Sequence, residues 1–308
     1  MQFMTVVKRG GFGRLTHERD FPPAGRQSAP WADGDVLRSR AVFDLELGPV
    51  TVTVPAAGER FISLEALDED HYTVAMFYGP GSYIFSFDNV STRYVLIVVR
   101  IMVDPANRAD LARVHELQET IAVSRQGGGR FVIPNWDPVS QAKVRVALQL
   151  LANTVSGDDR TFGAREEVDP VRHLIGTATQ WDRCPPRDIA YLHAVPRKND
   201  GRTIHRLSVG HVPVDGFWSL SVYDINGHFL SESHDGRTVN SMTAPRAADG
   251  SIVMHFGGCE QGFDNCLQIA KGWCYVVRLY RPRGEILGGK WKFPEAQPVY
   301  GATAAGNW

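Results

Sequence analysis

The densest group of chemistry-bearing side chains is Asp68-Glu-Asp-His-Tyr72, directly after the strand-like run Phe61-Ile-Ser-Leu-Glu-Ala-Leu67. A carboxylate beside an imidazole orients the ring and raises its pKa, as a general base requires. His71 is therefore the candidate base and Asp70 its orienting group. The same residue types also ligate metals. The plainer alternative is a solvated turn with a satisfied histidine.

Asp35, Arg38 and Arg100 come next. Arg100 interrupts the apolar run Leu96-Ile-Val-Val-Arg-Ile-Met102, so it must meet a carboxylate or face water. A buried structural ion pair is the favoured account, and a clamp for an anion or oxyanion is the functional one. Tyr78 and Tyr83 flank Gly79-Pro-Gly81 and are placed to line a mouth between strands. Tyr191 follows a Pro-Pro turn at the expected module junction and is a candidate for pointing into a cleft. Trp218 is a binding-platform candidate whose plainer reading is core. His193, His205 and His211 lie on neighbouring strand-like segments, but none forms the tight pair that makes a metal site specific. No cofactor is expected. No GxSxG elbow, HExxH, P-loop or strand-to-helix GxGxxG occurs, and Gly127-Gly-Gly129 reads as a turn.

These residues need a frame. Short β-rich runs at residues 41–45, 50–54, 61–67, 72–78, 82–87 and 93–103 are separated by Gly-Pro and Ala-Ala-Gly turns. A second series covers residues 189–195, 203–209, 216–224, 251–256 and 273–280, with hairpin signals at Asn226-Gly and Asp249-Gly. Between them, Asp104-Pro105, Asp137-Pro138 and Asp169-Pro170 each place a good N-cap before a proline suited to the first helical position. The middle helix carries Val144, Leu148, Leu151 and Val155 at helical spacing, expected to be its buried stripe. The fold class is mostly β (all-β or α+β): two β-sandwich or jelly-roll-like modules joined by a helical segment. The expected boundaries are 1–103, 104–187 and 188–308, with the first 35 residues an irregular arm.

Composition narrows the function. The chain has 308 residues, 43% apolar and 22% charged, and 33 basic against 34 acidic residues leave a net charge of −1. No broad field of one sign is available to steer nucleic acid or an anionic membrane. No apolar run reaches the roughly 20 residues of a membrane span. The expected partner is a small-molecule ligand, and edge strands offer pairing to a second copy as a homo-oligomer. No signal-peptide pattern opens the sequence, so a cytoplasmic location is the default expectation. Cys259 and Cys266 bracket a polar Gly-containing loop and are disulfide candidates; such a bond implies an oxidising compartment and export.

Several long stretches carry a family resemblance. Ala41-Val-Phe-Asp-Leu-Glu-Leu-Gly-Pro-Val-Thr-Val-Thr-Val-Pro55, Arg60 to Tyr72, Ser91-Thr-Arg-Tyr94 and Val103-Asp-Pro105 resemble a domain of unknown function numbered 1254. Val212-Pro-Val-Asp-Gly-Phe-Trp-Ser-Leu-Ser-Val-Tyr-Asp224, Val277-Arg-Leu-Tyr-Arg-Pro282 and Gly289-Lys-Trp-Lys-Phe-Pro294 resemble its tandem partner, numbered 1214. The resemblance implies tandem β-sandwich or jelly-roll units with a helical connection, in a family often labelled exported or carboxylesterase-like. Relatives usually read Asn-Arg-Asp-Thr-Leu-Tyr-Ser where this chain has Asp33-Gly-Asp-Val-Leu-Arg-Ser39. They usually carry an Asn-Pro-Tyr-Asn type of loop where this chain has Ser231-Glu-Ser-His-Asp-Gly236. The N-terminal helix common in relatives is expected to be absent here. These departures imply a changed substrate or a lost activity.

The expected function is a hydrolase-like enzyme acting on a small or carbohydrate-like molecule in a cleft between the modules. His71 would be its base, Asp70 its orienting group, and Arg38 or Arg100 its clamp. The alternative is a non-catalytic ligand-binding or assembly module.

Overall fold

A computed structural model of the chain describes residues 2–24, 26–27, 30–155, 157, 159–180 and 183–299. The protein is mostly β, with several antiparallel sheets and few helices. It divides into two compact units: Met1–Asp20, Val36–Val103 and Ala109–Asp188, and Phe21–Asp35, Asp104–Arg108 and Ile189–Trp308.

The first unit contains α1 (Gln2–Lys8), β1 (Thr16–His17), β2 (Val36–Asp44), β3 (Val50–Val54), β4 (Ile62–Leu67), β5 (Thr73–Tyr78), β6 (Gly81–Phe85), α2 (Phe87–Val90), β7 (Tyr94–Met102), α3 (Arg108–Glu119), β8 (Ala122–Arg125), α4 (Pro138–Ala152) and α5 (Pro170–Thr179). A five-stranded sheet runs β1-β2-β7-β4-β5 and a three-stranded one β6-β3-β8. All nine residues of β7 are buried, as its β-branched run requires of a central strand. Strand β3 alternates buried and half-buried residues because its threonines take the wetter face.

A short N-terminal helix exists after all. Phe3 and Val6 stand one turn apart and bury against Val42, Leu96 and Val98. Helix α3 starts later than its Asp-Pro signal, because the Asp104 carboxylate takes the Ala106 amide and its carbonyl the Asn107 amide, making a turn first. The helices do not form a separate connection but count with the first unit. Within α3, Val114 and Gln118 are fully buried, and Arg60 holds Asp110.

The caps of α4 and α5 are as the sequence indicates. Asp137 accepts from the Val139 and Ser140 amides, and Asp169 from those of Val171 and Arg172. The α4 stripe is a different matter. No residue of α4 is buried, and Val144 and Leu151 are 58% and 49% exposed. Helical spacing reveals an apolar face but not what covers it.

The second unit holds β9 (Ile189–Ala194), β10 (His205–Val209), β11 (Trp218–Tyr223), β12 (Thr238–Asn240), β13 (Ile252–Phe256), β14 (Cys266–Leu267), β15 (Cys274–Tyr280), α6 (Gly284–Leu287) and β16 (Gln297–Pro298). Two four-stranded sheets run β12-β11-β15-β9 and β14-β13-β10-β16. Trp218, Leu220, Val277 and Leu279 from the first meet Leu207, Val209, Met254 and Phe256 from the second in one core. Period-2 alternation then sends Ser219, Ser221 and Arg278 to the other face. Register lines up Asn240, Ser219, Arg278 and Tyr191 across four strands.

Candidate binding site

The polar face of the β12-β11-β15-β9 sheet is closed by the segment Phe21–Asp35, which supplies Asp33 and Asp35. Arg278 is 2% exposed. It donates from Nη2 to the Trp31 carbonyl (2.7 Å) and the Tyr223 hydroxyl (2.8 Å), and its Nε lies 3.7 Å from Asp33. The Tyr280 hydroxyl donates to Asp33. Asp35, fully buried, accepts from Thr238 Oγ1 at 2.6 Å and from Asn240 Nδ2 at 2.9 Å. Burial, with the neighbouring Asp33 charge, pushes Asp35 up to about 6. The Asn240 side chain is used at both ends, since its Oδ1 accepts from the Met242 and Thr243 amides.

Thr238 and Asn240 are therefore fixed from behind by Asp35. On their other side they line a cavity of about 480 Å³. Its remaining wall comes from residues 104–106, 233–236 and the loop between Cys259 and Cys266, which are disulfide-bonded. Three aspartates (Asp104, Asp235 and Asp264), His234, Gln268 and Phe263 face it, and no lysine or arginine is among its described lining residues. The Phe263 ring stacks on His255 at 4.2 Å between centroids. The cavity falls within the size range of small-molecule sites.

The residues singled out in the sequence are distributed differently. Asp68 closes the turn between β4 and β5, accepting the Asp70 and Tyr72 amides at 2.9 Å each, with His71 at φ 67°. The Asp70 carboxylate does not orient the His71 ring. It is held by Arg165 at 2.8 Å, and Arg165 also lies over the Tyr72 ring. His71 instead packs edge-on against Phe3. Burial, with a contribution from His173, lowers its pKa to about 4. The lowering by burial outweighs the raising effect of the Asp70 charge.

Arg38, Arg100 and Tyr78 share one face of the five-stranded sheet: Arg38 is paired with Arg100, Arg100 with Ser63, and Ser63 with Tyr78. Arg100 forms an ion pair with Glu65 at 2.8 Å, both nearly unexposed. Arg38 lies 3.9 Å from Glu18, and the Tyr78 hydroxyl donates to Asp188 at 2.6 Å. Trp218 is 3% exposed and meets Phe293 edge-on. That is core packing, the plainer of the two readings of Trp218. Tyr191 is half-buried beside Arg278 on the polar face. His193 and His205 lie in different sheets. Among the described residues no three His, Cys, Asp or Glu side chains are placed to hold a metal.

Sequence reasoning singled out Asp35 but missed Arg278, Tyr280, Thr238 and Asn240. A signal was present. Arg278 interrupts Cys274-Tyr-Val-Val-Arg-Leu-Tyr280 just as Arg100 interrupts its own strand.

The fold has relatives of known structure. The VPA0106 protein of Vibrio parahaemolyticus is 18% identical, with 97% of this chain and 94% of that one covered at a TM-score of 0.72. An uncharacterised protein of Burkholderia cenocepacia is 13% identical, with 88% and 78% covered at 0.53. At these identities the likeness shows the fold alone. No curated protein matches the chain. Two family models match in tandem, a protein of unknown function (DUF1254) over residues 12–125 and a protein of unknown function (DUF1214) over residues 190–284. The chain belongs to the family that carries these two domains of unknown function side by side.

Proposed function

We propose that this chain binds a small, uncharged, hydroxyl-rich molecule in the cavity walled by β12 and the disulfide-closed loop. The observation that carries this reading is a wall whose polar groups are fixed in advance. Asp35 holds Thr238 and Asn240 from behind, so little ordering is left for a ligand to impose. Lining carboxylates accept hydrogen bonds from hydroxyls, and Phe263 offers an apolar face of the kind sugar rings stack on. With three aspartates and no basic residue among those described in its lining, the cavity disfavours anions.

Ligand-observed NMR against glucose, galactose, mannose, inositol and glycerol, with glucose 6-phosphate and gluconate as anionic counterparts, tests it. The expected result is binding of neutral members only, weakened about tenfold or more by Phe263→Ala. Binding of anions only, or of nothing in the panel, would overturn the reading.

Hydrolysis at the same site is the second reading. The observation favouring it is that His234 and Asp235 stand side by side in the cavity wall, where an imidazole and a carboxylate supply acid–base groups. Turnover of nitrophenyl glycosides or esters, abolished by His234→Ala, is its test.

A further inference from the structure

We propose that the outward face of α4 and α5 is the interface through which two copies of this chain pair. Helix α4 runs for 15 residues, about 22 Å. Its half-buried side carries Arg145 and Leu148, and Arg145 donates to the Ala178 carbonyl at the end of α5. On the opposite side Val139, Val146 and Leu150 form one line, spaced by seven and four residues. Val144 and Leu151, also seven apart, flank Leu148 at the exposed edge of the half-buried side.

All five residues are 49–65% exposed, and Val171 and Leu174 of α5 are 65% and 56% exposed. Lys143 is the one charge between these two sets. A helix this apolar on its outer side is stable when that side is covered. Summed over the two packed helices, the seven residues expose on the order of 700 Å², close to the roughly 800 Å² that each partner of a stable dimer buries.

The charge pattern selects a second copy over a bilayer. A helix lying on a membrane surface displays a polar face rich in lysine and arginine beside its apolar one. Here the outer side carries Lys143 alone, and Arg145 is turned toward α5. An antiparallel two-fold centred on Val146 sets Leu150 of one copy against Ala142 of the other and Lys143 against Gln149. The two lysines then stay apart, and the self-complementarity that a two-fold interface requires is met.

The test is sedimentation velocity of the full chain up to about 100 μM. The wild type is expected to sediment as a dimer, and Val146→Glu with Leu150→Glu to raise the dimer dissociation constant about 100-fold or more, with the circular dichroism spectrum unchanged. A Val146→Cys variant, whose residue meets its own copy across the axis, is expected to cross-link on mild oxidation. This second variant decides the matter if the double glutamate variant fails to fold. A monomeric wild type, a dimer indifferent to the glutamates, a Val146→Cys chain that does not cross-link, or monomers captured by phosphatidylglycerol vesicles would each overturn the proposal.

Discussion

Replacing Asp35 by Asn should make the protein more stable, and only above about pH 4. Asp35 is fully buried, and its pKa is raised from the ordinary 3.8 to about 6. A carboxyl group whose folded pKa lies above its unfolded one binds more protons in the native state over that window. Stability is therefore greatest below the unfolded pKa and falls as pH rises towards 6. A displacement of about two units corresponds to about 3 kcal/mol, fully developed by pH 8. Asn reproduces the neutral acid. Its carbonyl can accept from Asn240 Nδ2 while its amide donates to Thr238 Oγ1, whose hydroxyl turns to the Leu220 carbonyl 3.3 Å away. Allowing for imperfect mimicry, a gain of about 1–3 kcal/mol at pH 8 corresponds to a melting temperature higher by about 5 °C. Differential scanning calorimetry of both proteins from pH 4 to pH 8 measures it. The expected curves coincide near pH 4 and separate as pH rises. An Asp35→Asn protein less stable than the wild type at pH 8, with the deficit shrinking on acidification, would mean that the carboxylate is held as a stabilised anion, and the reasoning would fail.

Arg100→Met should destabilise by about 3–5 kcal/mol because it strands the Glu65 carboxylate in the core, whereas the double change with Glu65→Leu should recover part of that loss; urea unfolding measures both, and a single-variant cost under about 1 kcal/mol would contradict the buried pair. The His71 imidazole, lowered to about 4, should titrate by NMR below about pH 5, so its contribution to stability is present above pH 6.5 and is lost as pH falls towards 4; a midpoint at 6 or above would restore it as a candidate base.

Much of the frame was legible because its signals are local. The β-branched runs beside Gly-Pro and Asn-Gly turns became β3 and β11, and two Asp-Pro caps, Asp137 and Asp169, marked α4 and α5. Short strands were not legible. Ala122–Arg125 and Thr238–Asn240 are set by their neighbours' open edges rather than by their own composition. The α4 stripe failed for a related reason, since periodicity reports an apolar face without naming its cover. What the sequence did not reveal at His71 is its left-handed turn conformation and the pairing of Asp70 with an arginine 95 positions on, since neither is a local signal.

The candidate site was half legible, and charge accounting explains which half. The unit 1 arginine was read correctly as needing an acid, because one guanidinium and one carboxylate, Arg100 and Glu65, neutralise each other in place. The unit 2 cluster is built differently. Asp33 and Asp35 are both buried neighbours, and the Arg278 guanidinium lies 3.7 Å from Asp33. Burial, with the Asp33 charge beside it, disfavours the charged form of Asp35 and raises its pKa to about 6. Asp33 meets the guanidinium and the Tyr280 hydroxyl, whereas Asp35 accepts from the neutral side chains of Thr238 and Asn240. The raised pKa of Asp35 follows first from its burial and then from the Asp33 charge. The rigidity of the cavity wall follows from the same residue, because Asp35 draws its hydrogen bonds from the neutral side chains of Thr238 and Asn240 and thereby fixes both in front of the cavity.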